Sequence, residues 1–129
     1  MSRKSKGINA ERELIHLFWA AGWAGIRVAG SGSIKYPCPD ILAGKNSRVI
    51  AIEVKATKDD KKYLLAEEIR QLKQFCEIFN AEPWIGVKFS RENWLFLTLD
   101  QLDEKEKSHS ISLKDAKKRG FLFEELIKE

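Results

Sequence analysis

The chain has 129 residues, enough for one domain, taken as residues 1–129, with a single core. Hydrophobic residues make up 43% and charged residues 33%, which excludes an intrinsically disordered chain. The net charge of +4 suits a polyanionic partner without requiring one.

The basic start, Met1 to Lys6, is followed by no apolar signal core. From Asn9 to Gly22, Leu14, Ile15, Leu17, Phe18 and Ala21 recur at helical spacing, with Asn9 as N-cap and Gly22 as the stop. The longest uncharged apolar stretch, residues 17–26, holds two glycines and is too short to span a bilayer. The expectation is a cytoplasmic protein that uses no membrane. Trp23 to Ala29 reads as a strand, and Gly30 to Pro39, dense in Gly, Ser and Pro, as a loop. Asp40 to Ala43 reads as a short strand, Gly44 to Ser47 as a turn and Val49 to Ala56 as a strong strand.

Lys58 to Lys62 reads as a charged connection. Ala66 to Asn80 reads as a second helix with Ile69, Leu72, Phe75, Cys76 and Phe79 on its apolar stripe. Trp84 to Phe89 and Trp94 to Leu99 are two further strands, separated by Ser90 to Asn93. A polar stretch follows, and Ser112 opens one or two short helices broken at Gly120. The order predicts a central mixed sheet flanked by helices, an α/β fold with its core at about 6–99 and a helical tail at about 110–129. Trp19, Trp23, Trp84 and Trp94 have apolar neighbours and are expected in the core. Cys38 and Cys76 form no metal-binding pair and are expected to be free thiols.

The chemistry concentrates in Pro39-Asp40 and Glu53-Val54-Lys55. Residues 49–52 are apolar on both faces, so their strand is expected to be central and covered. Alternation puts Glu53 and Lys55 on one face and Val54 on the other. A carboxylate on a covered strand costs several kcal/mol unless it is paired or bound to a metal. If the strands at Ile41 and Val49 form a hairpin, Asp40 comes beside Glu53. Two carboxylates at a strand end suit a hard cation such as Mg²⁺, with the main-chain carbonyl of Val54 as a third protein ligand. A water held by such a cation is acidified and can attack phosphorus. Lys55 could orient that water or offset transition-state charge. Taken singly, Glu53 and Lys55 read as a surface pair and Asp40 as a turn residue; their conjunction favours a nuclease site. Glu11 alone reads as an acidic residue favoured by a helix N-terminus.

With these residues in hand the chain resembles a known family. Lys6-Gly7, Ala10-Glu-Arg-Glu-Leu14, Arg27-Val-Ala-Gly-Ser31, Pro39-Asp-Ile-Leu-Ala-Gly44, Ile52-Glu-Val-Lys55 and Glu82-Pro-Trp-Ile-Gly-Val-Lys-Phe89 are similar to the archaeal Holliday-junction resolvases of Hjc type. These belong to the PD-(D/E)xK superfamily. The resemblance runs from about Lys6 to Leu97. It implies a restriction-endonuclease-like fold with a five-stranded sheet, a homodimer, and paired Mg²⁺-dependent nicks at a four-way DNA junction, Mn²⁺ being able to substitute. It implies Asp40 and Glu53 as metal ligands, Lys55 as the catalytic lysine and Glu11 completing the site through a water. Arg12 and Arg27 fall on positions associated with DNA and phosphate, and Ser31 on a serine of the mobile loop. Phe75 and Phe79 match a pair of aromatics at the dimer interface; by spacing alone they read as core. The Gly30 to Pro39 loop is longer than in some members.

Lys4, Lys6, Lys58, Lys61 and Lys62 are candidate phosphate contacts, which position a protein on DNA without reading sequence. Arg70 and Lys73 fit that role or a solvated surface equally. Lys114, Lys117, Lys118 and Arg119 read as a solvated face. No small-molecule substrate is expected. A junction resolvase competes here with a PD-(D/E)xK enzyme acting on duplex or flap DNA, and with a non-catalytic junction-binding dimer.

Overall fold

The computed structural model describes residues 3–28, 35–105 and 108–128, and side chains from residue 7 onward. Helix α1 (Arg3–Ala20) leads into β1 (Ala24–Arg27), β2 (Ile41–Lys45) and β3 (Arg48–Thr57). Then come β4 (Lys61–Leu65), α2 (Ala66–Phe79), β5 (Glu82–Phe89) and β6 (Leu95–Leu97). A 3-10 turn over Leu99–Gln101 precedes β7 (Asp103–Lys105), β8 (Ser108–Ser112), α3 (Leu113–Arg119) and α4 (Phe123–Leu126).

The expected mixed five-stranded sheet is present, in the order β1-β2-β3-β5-β6. The β2–β3 hairpin is antiparallel and turns at Asn46, which takes positive φ, a conformation Asn tolerates well. Strands β3 and β5 are parallel, so the chain must cross over between them, and β4 with α2 forms that crossing. Strand β3 is the central strand, as its apolar run foretells. Its side chains feed two cores. Ile50, Ile52 and Val54 pack with Leu14 and Phe18 of α1 and with Leu126. Ala51 packs on the other face with Leu72 and Cys76 of α2, Leu64 and Ile111. Gly86 on β5 lets Phe96 and Ile52 close in, since a Cβ there would meet both at 3.0–3.1 Å.

A second sheet, β4-β8-β7, was not foreseen. The expected charged connection at Lys58 to Lys62 ends in β4, and the polar stretch before Ser112 supplies β8, which pairs with β4, and β7, which pairs with β8. Polarity masked these strands: only one face is covered, by Leu64 and Ile111, and the pairing partners are far apart in sequence. Helix α1 begins at Arg3, so Asn9 is internal to it and is not its N-cap. Asp40 lies just before β2 and not within it. Trp23 and Trp94 are buried and Trp84 half-buried, but Trp19 is 58% exposed, its indole N–H donating to Gly25 O at 2.9 Å. Ser112 caps α3, its Oγ accepting from Asp115 N at 3.1 Å, and the helix stops at Gly120. The basic run is ion-paired in part: Lys117 Nζ lies 2.6 Å from Glu92, and Arg119 bridges Asp103 and Asp115 at 3.3 Å. Phe121 pairs with Phe96 through two 2.8 Å backbone bonds, so the tail covers part of the β6 edge. Both described cysteines are free.

Candidate active site

The β2–β3 register pairs Ile41 with Ile52, so one step further along the hairpin sets Asp40 across from Glu53. Asp40 is held by its own backbone: its N–H donates to Ile52 O at 3.1 Å, and its carbonyl accepts from Val28 N at 2.8 Å. Its Oδ2 accepts from Val54 N at 2.8 Å. The N–H and C=O of one strand residue leave by the same edge. The Val54 carbonyl therefore points toward Asp40, past the last β2–β3 pair at Ile41 and Ile52.

Glu53 is confined between like and unlike charges. Burial, then the charge of Asp40 and a hydrogen bond shared with it, push its carboxyl up to about 9; Lys55 only partly offsets this. Lys55 Nζ lies 3.9 Å from Glu53 Oε1, and both side chains are largely buried, at 18% and 15% exposure. Burial acts to lower the lysine, but Glu68 first, then Glu53 and Asp40, outweigh it and raise it. From α1, Glu11 approaches the same end of the sheet. Burial and then Asp40 raise its carboxyl, while Arg27 pulls it down. Arg27 Nε stands 3.3 Å from Glu11 Oε1, an ion pair off the alignment of a good hydrogen bond.

The structure thus brings together Glu11, Arg27, Asp40, Glu53 and Lys55 from α1, β1, the approach to β2, and β3. Arg12, one residue from Glu11, is exposed. Lys58 is exposed just past the end of β3. Lys61 and Lys62 sit on β4, where alternation sends them to opposite faces, so they do not form one patch. Lys61 lies over the Tyr63 ring at 5.1 Å. Lys4 and Lys6 lie on the first turns of α1 with side chains outside the described residues, and Ser31 lies outside the described residues altogether. Phe75 and Phe79 stack at 5.0 Å on α2.

Sequence reasoning missed Glu68, whose Oε2 takes a 2.5 Å hydrogen bond from Lys55 Nζ. A glutamate in the first turn of a helix is a visible capping signal, but its reach across to β3 is not visible in the chain. It also missed the setting of Cys38, whose thiol is raised by burial, then by Asp40 and Glu53.

The donor set fits a hard divalent cation. Two carboxylates oppose each other, a backbone carbonyl leaves by the same edge, and burial with Asp40 alongside raises the Glu53 carboxyl, a rise that a bound cation would oppose. Among the described residues no group of three or more His, Cys, Asp or Glu side chains converges to hold a metal.

Opposed carboxylates and a lysine at the strand ends of a mixed, helix-flanked sheet define a nuclease of the restriction-endonuclease-like class. The chain belongs to the archaeal Holliday junction resolvase (Hjc) family, whose pattern it matches over residues 2–129. It is 45% identical over 108 residues to the crossover junction endodeoxyribonuclease Hjc of Archaeoglobus fulgidus, covering 84% of this chain and 79% of that protein. It is 33% identical over 130 residues to the Sulfolobus acidocaldarius enzyme of the same name, covering 99% and 90%. The 1.6 Å structure of Archaeoglobus fulgidus Hjc, a Holliday junction resolvase, superposes with a TM-score of 0.85 at 39% identity, covering 94% of each chain. The protein is an endodeoxyribonuclease of that family.

Proposed function

We propose that the chain resolves four-way DNA junctions by paired phosphodiester hydrolysis, as a homodimer with one Mg²⁺-dependent site per subunit, Mn²⁺ being able to substitute. The observation that carries this reading is the opposed Asp40–Glu53 pair with Lys55 beside it. Asp40, Glu53 and the Val54 carbonyl would hold the cation, with Glu11 acting through a water. When bound there, the cation offsets the carboxylate charge, polarises the scissile phosphate and favours attack by water. Lys55 places an ammonium where charge builds on the phosphate oxygens as water adds and the P–O bond breaks. Arg27, braced by Glu11, offers a second cation to a phosphate. Arg12, Lys58, Lys61 and Lys62, with Lys4, Lys6 and Ser31, carry the DNA-contact part of the reading. Specificity rests on branch shape and deformability, not on base edges.

Residues 1–129 form one nuclease domain in this reading. The enzyme works in the cytoplasm, where its DNA is; no helix among the described residues is long and apolar enough to cross a membrane. Exposed apolar surface on α2 supports the dimer: Phe79 is 52% and Ile78 81% exposed. A two-fold axis there would match the approximate two-fold symmetry of the junction. Sedimentation is expected to give twice the chain mass, and Phe79→Asp to give a monomer; a wild-type monomer at micromolar concentration removes the dimer from the mechanism.

The decisive experiment is cleavage of a labelled four-way junction against linear duplex of the same arms, with Mg²⁺, by wild type and Asp40→Asn. Paired nicks in the junction only, lost in Asp40→Asn while binding persists, are expected. Equal cutting of duplex points to a general nuclease, and tight binding without cutting to a junction-binding protein; either overturns the reading.

A further inference from the structure

Lys55 has a four-carbon stem and three N–H donors, so geometry alone does not hold its head in place. Two carboxylates flank it. Glu68 Oε2 lies 2.5 Å away on α2, and Glu53 Oε1 lies 3.9 Å away on its own strand. Glu68 is itself fixed from two sides. Its Oε1 accepts from Leu65 N at 3.0 Å, the reciprocal half of a capping box at the third position of α2. A negative side chain is favoured at that helix end. The residue that it caps closes β4, which is paired along its length with β8. One carboxylate therefore ties the start of α2 to the tip of Lys55.

We propose that Glu68 is a positioning residue for cleavage: it holds Lys55 off Glu53, leaving Glu53 free for the cation and the other Lys55 donors free for the DNA phosphate. This rests on the reading of Lys55 and Glu53 given above. Without Glu68, Lys55 closes onto Glu53, its other named anion, and competes for the carboxylate that the cation needs. The task requires two acceptor oxygens on one side chain, one for Leu65 N–H and one for Lys55 N–H. Glutamine has one acceptor oxygen and cannot serve both. Aspartate keeps the charge but is one methylene short of Lys55.

The test is the single-turnover cleavage rate of pre-bound four-way junction, with junction affinity, the Mg²⁺ concentration for half-maximal rate and melting temperature measured alongside. Glu68→Gln and Glu68→Asp are each expected to slow cleavage about 10–100-fold and to raise the Mg²⁺ requirement. Junction affinity should change by less than about twofold, because no DNA-contact residue is altered. The Lys55 side-chain ammonium resonance should shift in both variants without loss of fold, as its partner changes from Glu68 to Glu53. In a Lys55→Ala background, Glu68→Gln should slow cleavage no further. A wild-type rate in both variants overturns the inference, as does the same fold loss with and without Lys55. Lys55→Ala that cuts at the wild-type rate instead overturns the underlying reading of the lysine.

Discussion

The two sheets contribute to one site in different ways. The five-stranded sheet carries the proposed catalytic groups: Asp40 before β2 and Glu53 and Lys55 on β3 sit toward one end of a central, covered strand. The three-stranded sheet lends no candidate metal ligand. It sets where β4 stops and α2 starts, and so where Glu68 stands relative to Lys55. The covered strand is steeply apolar, with Ile50, Ala51 and Ile52 fully buried. Strands β7 and β8 are mostly polar and β4 opens on two lysines; Leu64, Ser110 and Ile111 are their buried residues. The central strand thus presents the carboxylates, and the second sheet adjoins the helix start whose Glu68 binds the lysine.

One substitution in each sheet would test that division. Ile52→Ala removes a fully buried side chain from the central strand and is expected to cost about 3–5 kcal/mol, read by denaturant unfolding. Ile111→Ala, in the second sheet, should cost less, about 2–3 kcal/mol, because the smaller sheet can relax around it. At temperatures where both variants are fully folded, Ile111→Ala should also slow cleavage without weakening junction binding. Unchanged cleavage would mean that the second sheet does not set the start of α2 finely enough to matter.

A third effect concerns the carboxylates alone. Glu53 in the folded protein is raised to about 9, and Glu11 is raised too. Between the ordinary carboxylate range and that value, the folded protein keeps a proton that the unfolded chain has released. Their contribution is fully present below the unfolded pKa and is lost as pH rises through the folded one, at up to about 1.4 kcal/mol per pH unit for one proton. Metal-free protein in chelator should therefore lose stability from pH 5 to 9 in urea titrations. Added divalent cation should restore more at the alkaline end, because its binding displaces the proton. A flat profile would show that Glu53 is neither buried nor held against Asp40, and Asp40→Asn should make the slope shallower without abolishing it, because burial is the larger cause.

Much of the catalytic end could be read from local pattern. The apolar run before Glu53 marked a central strand, and the turn at Asn46 fixed a hairpin whose register sets Asp40 across from Glu53. Those relations are short-range: the alternation of a strand and a tight turn determine them. The N-terminal Glu11 and Arg27 were placed by resemblance, and the fold brings them to the same sheet end. By contrast, the start of α1 at Arg3 and the exposure of Trp19 depend on which face of a long helix the sheet covers.

By itself the sequence determined the covered strand, the opposed carboxylates and the lysine, because each follows from residues within one hairpin and its alternation. Only the tertiary structure decided that β4 pairs with β8, since a polar strand exists when its partner arrives from some 45 residues away and not before. It alone decided that Glu68 meets Lys55, because that contact joins a helix N-terminus to a strand through the packing of α2 against β3, a distance in space that no local spacing encodes.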